Sequence, residues 1–297
     1  MIAFVTKRFF RIIDRRCINF NRGNAFLRRV WFAAQVHLRS AVAALAVTVA
    51  LSGAARGENP PQNCDAPFAM IRFANPLVHV AEKLKTDKPI TVVAIGSSST
   101  AGSGASSLAT SYPSRLAYEL MQRFPGHSIT VLNRGVGGDE VDDMLKRFDT
   151  AVVAAKPDLV LWQFGTNSII RDDNVSDYGA EIHEGLAKIR SIGADVALID
   201  PQFVPRVVVK QSAAHMVELM AGAAKHENID LFPRFDVMKR WHDIDRMDFS
   251  TFVSSDGLHM NDWGYSCMAK ELSLSIAEAA ERPIVSVQTR AAPLPIH

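Results

Sequence analysis

Hydroxyl, amide, carboxyl and imidazole side chains recur in this chain where apolar runs end. Ile90–Thr100 reads ITVVAIGSSST, a β-branched run of strand length that closes on Gly96 and opens into serines. A serine hydroxyl at a strand end becomes a nucleophile if a base removes its proton, and histidine is the natural base near neutral pH. The stretch SSDGLHMNDWGY supplies one: Asp256 stands three residues before His259, where it can orient the ring and stabilise the imidazolium. Two further strand-like runs lead into RGVGGDE, with Gly138, and QFGTN, with Asn167. The backbone N–H groups of Ser98 and Gly138 and the side-chain amide of Asn167 could donate to a developing oxyanion, each such donor being worth roughly 3–4 kcal/mol.

Each residue also has a plainer reading. Serines after a glycine are mostly loop residues, Gly138 could be a turn glycine at positive φ, Asn167 a cap, and Asp256 and His259 a loop hydrogen bond. Counting from Gly96 favours Ser98 over Ser97 and Ser99, and Gly135 or Gly137 could take the place of Gly138. His183, His226 and His242 read as solvated or structural.

The elements that must position these groups alternate along the chain. A helix is expected over Pro76 to Lys85, before the first strand. Tyr112-Pro113 starts another, with Leu116, Leu120 and Phe124 on one face. The second strand is Ser128–Asn133, followed by a helix carrying Val141, Met144, Leu145, Phe148 and Val152. Asp158–Phe164 is the third strand; a helix with Tyr178, Ile182, Leu186 and Ile189 leads to the fourth, Asp195–Ile199. A helix over Ala213–His226, a short strand Ile229–Phe232 and a last helix from Asn261 to Ala280 complete the pattern. Five strands separated by helices imply a parallel sheet with helices on both faces, whose strand ends carry the chemistry.

Charge is unevenly placed. Residues 1–56 hold ten of the 33 Lys and Arg against one of the 31 acids, Asp14, leaving 23 basic against 30 acidic residues in the remainder. The domain alone is thus acidic, which argues against a nucleic-acid partner. After Arg39 comes SAVAALAVTVALSGAA, 16 uncharged residues from Ser40 to Ala55, then a polar, Pro-containing stretch. This describes a secretory signal; a membrane span normally needs about 20 apolar residues, and an uncleaved anchor is the alternative. The basic flank is long for a signal, with no second Met before Met70, so the true start can lie downstream of Met1. The expected organisation is a leader over 1–56, an arm and helix over 57–88, a catalytic domain over 89–281 and a poorly ordered tail over 282–297. Export would allow Cys64 and Cys267 to pair; otherwise they are two separate thiols.

Competing motifs fail. GSSSTAGSG lacks the Lys-Ser/Thr ending of a P-loop, and neither it nor RGVGG fits G-x-G-x-x-G. Thr100 stands where a G-x-S-x-G elbow needs glycine. His183-Glu184 and His226-Glu227 lack the second histidine of a zincin.

Four blocks in order, GSSST, NRGVGGDE, QFGTN and DGLHMN, resemble those of the SGNH (GDSL-type) hydrolases. The resemblance spans roughly residues 90–280. It implies a three-layer α/β sandwich with a flavodoxin-like five-stranded parallel sheet. Carried over block by block, it assigns Ser98, Asp256 and His259 as catalytic, Ser98, Gly138 and Asn167 as the oxyanion hole, and no cofactor or metal. Two positions depart from the family: Ser97 stands where an Asp usually precedes the nucleophile, and Ser168 where Asp is common after the asparagine. The implied activity is a serine esterase, for an exported member one acting on acetyl or short-chain O-acyl esters of carbohydrate. Lysophospholipase or thioesterase activity, acyl transfer to an alcohol, and a silent carbohydrate-binding protein are the alternatives. SIIRDD after Asn167 and Gln202–Gln211 could line the pocket; their Arg171, Arg206 and Lys210 could meet an anionic group or simply be solvated.

Overall fold

The computed structural model describes residues 63–173 and 178–283 of the chain. The expected leader lies outside the described residues, as do residues 57–62 of the expected arm and residues 284–297 of the expected tail. In chain order, α1 (Val78–Lys85) leads into β1 (Ile90–Gly96), and the single turn α2 (Ser98–Ala101) and α3 (Tyr112–Arg123) lead to β2 (Ile129–Gly135). Then α4 (Val141–Lys146) precedes β3 (Leu159–Gln163), and α5 (Thr166–Arg171) and α6 (Tyr178–Ser191) precede β4 (Asp195–Ile199). Next, α7 (Pro205–Val208) and α8 (Ser212–Glu227) precede β5 (Asp230–Phe232), and α9 (Arg234–Asp243) and α10 (Asp262–Glu281) follow.

All strand pairings are parallel, in the order β2-β1-β3-β4-β5, the flavodoxin-like arrangement expected. β1 and β3 are buried along nearly their whole length, as strands covered by helices on both faces must be. Helices α1, α3 and α10 pack together as one layer, and α4, α6 and α8 as the other. The chain crosses from β1 to β2 on one side and returns to β3 on the other, so the winding reverses between β1 and β3. Crevices at such reversals lie at the carboxyl ends of the strands. Here those ends deliver the residues after β1, β2 and β3 to one place.

Where the structure departs from the sequence reading, packing is the reason. The helix expected to run through Val141–Val152 breaks at Arg147, where φ is −109° and ψ 6°; Val141, Met144, Phe148 and Val152 nevertheless all point into the core. α9 is an element the sequence pattern does not predict, although Val237, Met238 and Trp241 fall at helical spacing and are buried. Its first residue, Arg234, is fully buried and donates from Nε to the Asp200 carbonyl at 2.8 Å, an inside position that a polarity pattern cannot announce.

The segment before α1 is tied to the domain at several points. Cys64 and Cys267 form a disulfide, their Cα atoms 5.8 Å apart and 203 residues apart in sequence. The Trp241 indole donates to the Cys64 carbonyl at 3.2 Å, and the Ala66 N–H to Glu271 Oε1 at 3.1 Å. Cross-linking so long a loop removes much of the unfolded chain's freedom. Cys64→Ser should therefore lower stability by about 2–5 kcal/mol, on the order of 10 °C in the thermal midpoint. A calorimetric midpoint unchanged by the substitution or by reductant would show that the bridge contributes nothing.

Candidate active site

β1 ends at Gly96 and the backbone turns at Ser97 into α2, so Ser98 is the first residue of a one-turn helix lying against the end of the sheet. That turn sits so close to β2 that a Cβ on Gly135 would come within 2.1 Å of the Ala101 nitrogen; only a glycine allows the approach. Beneath the turn lies buried Gln163, the last residue of β3. Its Oε1 accepts from the Ser97 N–H at 3.1 Å, the Ser97 hydroxyl at 3.2 Å and the Thr100 hydroxyl at 3.0 Å. Ser97, where the family usually has Asp, thus gives both its N–H and its hydroxyl to Gln163.

The Ser98 hydroxyl lies 2.8 Å from His259 Nε2, and His259 Nδ1 lies 2.6 Å from Asp256 Oδ2. The other Asp256 oxygen accepts from the N–H groups of Leu258 and His259, both at 2.9 Å, and from the Ser254 hydroxyl at 2.8 Å. Partial burial acts to raise the Asp256 carboxyl. The hydrogen bonds from the His259 ring, from the two backbone N–H groups and from Ser254 outweigh it and hold the group well below the usual carboxylate range. A carboxylate that stays ionised beside Nδ1 fixes the tautomer that leaves Nε2 as a base towards Ser98.

The loop bearing His259 is closed by an isolated antiparallel bridge between Val253 and Met260 and by a Ser254 N–H bond to the His259 carbonyl. It leads directly into α10, whose N-cap Asn261 accepts from the Gly264 N–H at 3.0 Å. Buried Gln202 joins this loop to the strand ends: its Nε2 donates to the Leu258 carbonyl at 3.1 Å, and its Oε1 accepts from Thr166 at 2.9 Å and Ser99 at 3.4 Å. The amides of Gln163 and Gln202 carry no motif of their own, so the sequence marks Gln163 only as part of the third strand and of QFGTN, and Gln202 only as the first residue of a stretch that could line the pocket.

The glycine loop after β2 closes the other side. Gly138 has φ +87°, a conformation that disfavours side chains with a Cβ, and a Cβ added to neighbouring Gly137 would stand 4.0 Å from Ser98 Cβ. Asn167 is the second residue of α5 and donates from Nδ2 to the Asp139 carbonyl at 2.8 Å; an amide has a second N–H to offer. Arg147 ties the loop to the sheet, from Nε to Asp139 at 2.7 Å, from Nη1 to the Arg134 carbonyl at 2.9 Å and from Nη2 to the Gly96 carbonyl at 3.3 Å. Arg171 donates to the Gly138 carbonyl at 2.9 Å and pairs with Glu140, and Lys210 pairs with Asp172 at 2.5 Å. Those two cations are thus engaged by neighbours on the protein. His183 and His226 both lie beside Glu227, and His242 stacks on Phe249 with ring centroids 4.2 Å apart, all in structural contacts. Among the described residues no group of three or more His, Cys, Asp or Glu side chains is arranged to hold a metal ion.

Comparison with known proteins agrees with this fold. The model of the Non-GDSL lipase-like family matches residues 63–282. An arylesterase of Vibrio mimicus is 26% identical over 166 residues, covering 54% of this chain and 78% of the relative. In fold, the chain is similar to a two-domain esterase (CEX) active on acetylated mannans, with a TM-score of 0.63 and 20% identity over 78% of this chain. It spans 62% of the length of that esterase. It is also similar to a catalytic mutant of Axe2, an acetylxylan esterase from Geobacillus stearothermophilus, with a TM-score of 0.55 and 17% identity over 63% of this chain and 94% of that one. With its five-stranded parallel sheet, three of its four blocks at strand ends and the fourth in the loop before α10, and a family model matched across the described domain, the chain belongs to the Non-GDSL lipase-like family and is an SGNH (GDSL-type) hydrolase.

Proposed function

We propose that this protein is a serine esterase that removes acetyl or other short-chain O-acyl groups from carbohydrate through an acyl-enzyme. The observation that carries the reading is the relay from Ser98 Oγ to His259 Nε2 at 2.8 Å and from His259 Nδ1 to Asp256 at 2.6 Å. His259 takes the hydroxyl proton as Ser98 attacks the ester carbonyl, and Asp256 stabilises the imidazolium that results. The oxyanion forms against the N–H groups of Ser98 and Gly138 and the Asn167 amide. The tetrahedral species collapses as His259 gives its proton to the leaving alcohol. Water then attacks the acyl-enzyme, His259 accepts its proton, and the carboxylic acid leaves as Ser98 recovers its hydrogen. Deacetylation of carbohydrate is supported by the fold shared with an esterase active on acetylated mannans and an acetylxylan esterase, and ester hydrolysis by the arylesterase relative.

Residues 1–56 act in this reading as an export leader, supported by the basic flank, the uncharged run Ser40–Ala55 and a disulfide suited to an oxidising compartment. Mass spectrometry of the native protein should find a mature N terminus near residue 57 outside the cytoplasm. A cytoplasmic chain retaining Arg39 would overturn export.

Hydrolysis of p-nitrophenyl acetate, butyrate and laurate, with release of acetate from acetylated xylan or mannan, tests the activity. Rates should fall with acyl length, and Ser98→Ala should lose at least about a thousandfold in kcat without unfolding. A preference for laurate would turn the reading to a lipid hydrolase, and full activity in Ser98→Ala would remove Ser98 from the mechanism.

Asp256 gives a prediction in pH. Its carboxyl is depressed in the folded state, so its contribution to stability is present above the unfolded value of about 3.9 and lost as pH falls through the lower folded value. The difference in thermal midpoint between wild type and Asp256→Asn should thus not narrow as pH falls from about 8 to about 5, and should narrow only below about pH 4. Narrowing already between pH 7 and 5 would contradict the depressed carboxyl.

A further inference from the structure

The two oxyanion donors outside the nucleophile turn stand on different elements. Gly138 belongs to the loop after β2 and Asn167 to α5, so the hole has a defined shape only if loop and helix are fixed to each other. Three consecutive loop residues are joined to that helix. The Asp139 carbonyl takes the Asn167 amide at 2.8 Å. The Gly138 carbonyl takes Arg171 Nη2 at 2.9 Å, and Arg171 Nη1 pairs with Glu140 Oε1. Glu140 Oε2 in turn accepts from the Tyr178 hydroxyl at 3.0 Å, and the Ser168 hydroxyl, 3.3 Å from the same oxygen, donates to the Tyr178 oxygen. Asn167 and Arg171 are four residues apart on α5 and so share one face of it. The helix presents an amide and a guanidinium to the same glycine loop.

We propose that Arg171 is a positioning residue of the oxyanion hole: its guanidinium, braced by Glu140, holds the Gly138 carbonyl and thereby the conformation in which the Gly138 N–H faces the reacting carbonyl. The proposal rests on the esterase reading above. Gly138 at φ +87° has no side chain to restrict it, and a hydrogen bond to its carbonyl restrains the ψ rotation of the residue and the path of the loop through it. A planar fork that reaches a carbonyl with one nitrogen and a carboxylate with another suits this role, and an ammonium does not reproduce it. The Ser168 departure from the family fits the same arrangement, because Glu140 brings its own carboxylate to the place beside Asn167 where the family commonly carries Asp.

A looser hole weakens binding of the tetrahedral transition state far more than binding of the ester. Arg171→Ala should therefore lower kcat on p-nitrophenyl acetate roughly 10- to 100-fold, the scale of a small misplacement at the reacting centre, with KM within about twofold of wild type. Added guanidinium chloride, at millimolar concentrations well below those that unfold the protein, should restore part of that kcat and leave wild type unchanged. Arg171→Lys should fall between the two. Should Arg171→Ala not fold, Glu140→Gln, which removes the brace and keeps the shape, should give the same loss confined to kcat. Full kcat in the folded Arg171 variant, or a rise in KM with kcat intact, overturns the positioning role when Ser98→Ala is inactive in the same assay. If Ser98→Ala is itself active, it is the esterase reading that fails, and the positioning role with it.

Discussion

The hydrogen bond between the Ser98 hydroxyl and the His259 ring spans 161 residues of sequence, and almost every feature of the domain bears on whether its ends meet. One end is set by β1, a buried central strand whose close packing leaves Ser98 a single turn from the sheet. The other depends on a short loop between α9 and α10 that has no strand to hold it. That loop takes its shape from its own hydrogen bonds and from Asp256, one carboxylate oxygen of which accepts three bonds while the other holds the imidazole. The same acid orders the loop and orients the His259 ring, so local folding and the geometry of the site are one arrangement.

Between these ends lies buried polar structure. Gln163 and Gln202 are 0% and 1% exposed, and each uses its carbonyl oxygen to gather hydroxyls or N–H groups near Ser98. Burying an amide is unfavourable unless its bonds are made, and these bonds join elements that hydrophobic packing alone would leave free to slide by fractions of an ångström. Gln202 bridges the nucleophile turn, α5 and the His259 loop. Arg147 does the same for the ends of β1 and β2 and the glycine loop beyond them. A site assembled from four loops is rigid here because charged and amide groups cross between them.

The periphery serves the same end. α10 begins two residues after His259 with the Asn261 cap and packs along α3, so His259 is mounted on the longest helix described. The disulfide at Cys267 fastens the segment around Cys64 to that helix, and the Trp241 indole and Glu271 bind the same segment. The ties at Cys267 and Glu271 fall in the N-terminal half of α10, next to the loop that carries His259.

Periodicity and strand-end chemistry made much of this visible beforehand. The apolar runs of β1 and β3 announce buried strands because side chains on both faces must be covered, and Asp195–Ile199 was legible to the residue. Ser98, Gly138, Asn167, Asp256 and His259 could be named because a nucleophile, a base and their donors need particular side chains at strand ends. Arg171 reads in the sequence as a pocket cation for an anionic group or a solvated charge, and Gln163 as part of a strand, since a guanidinium bonded to a backbone carbonyl and an amide turned beneath a serine leave no periodic trace. Sequence alone thus determined the alternation of elements, the five candidate site residues and the two cysteines free to pair, all of which rest on local pattern and residue chemistry. Tertiary structure alone decided the strand order, the 2.8 Å approach of Ser98 to His259, the Cys64–Cys267 bond and the arginine ties around the glycine loop, because each depends on distances between residues that the chain keeps far apart until the core has formed.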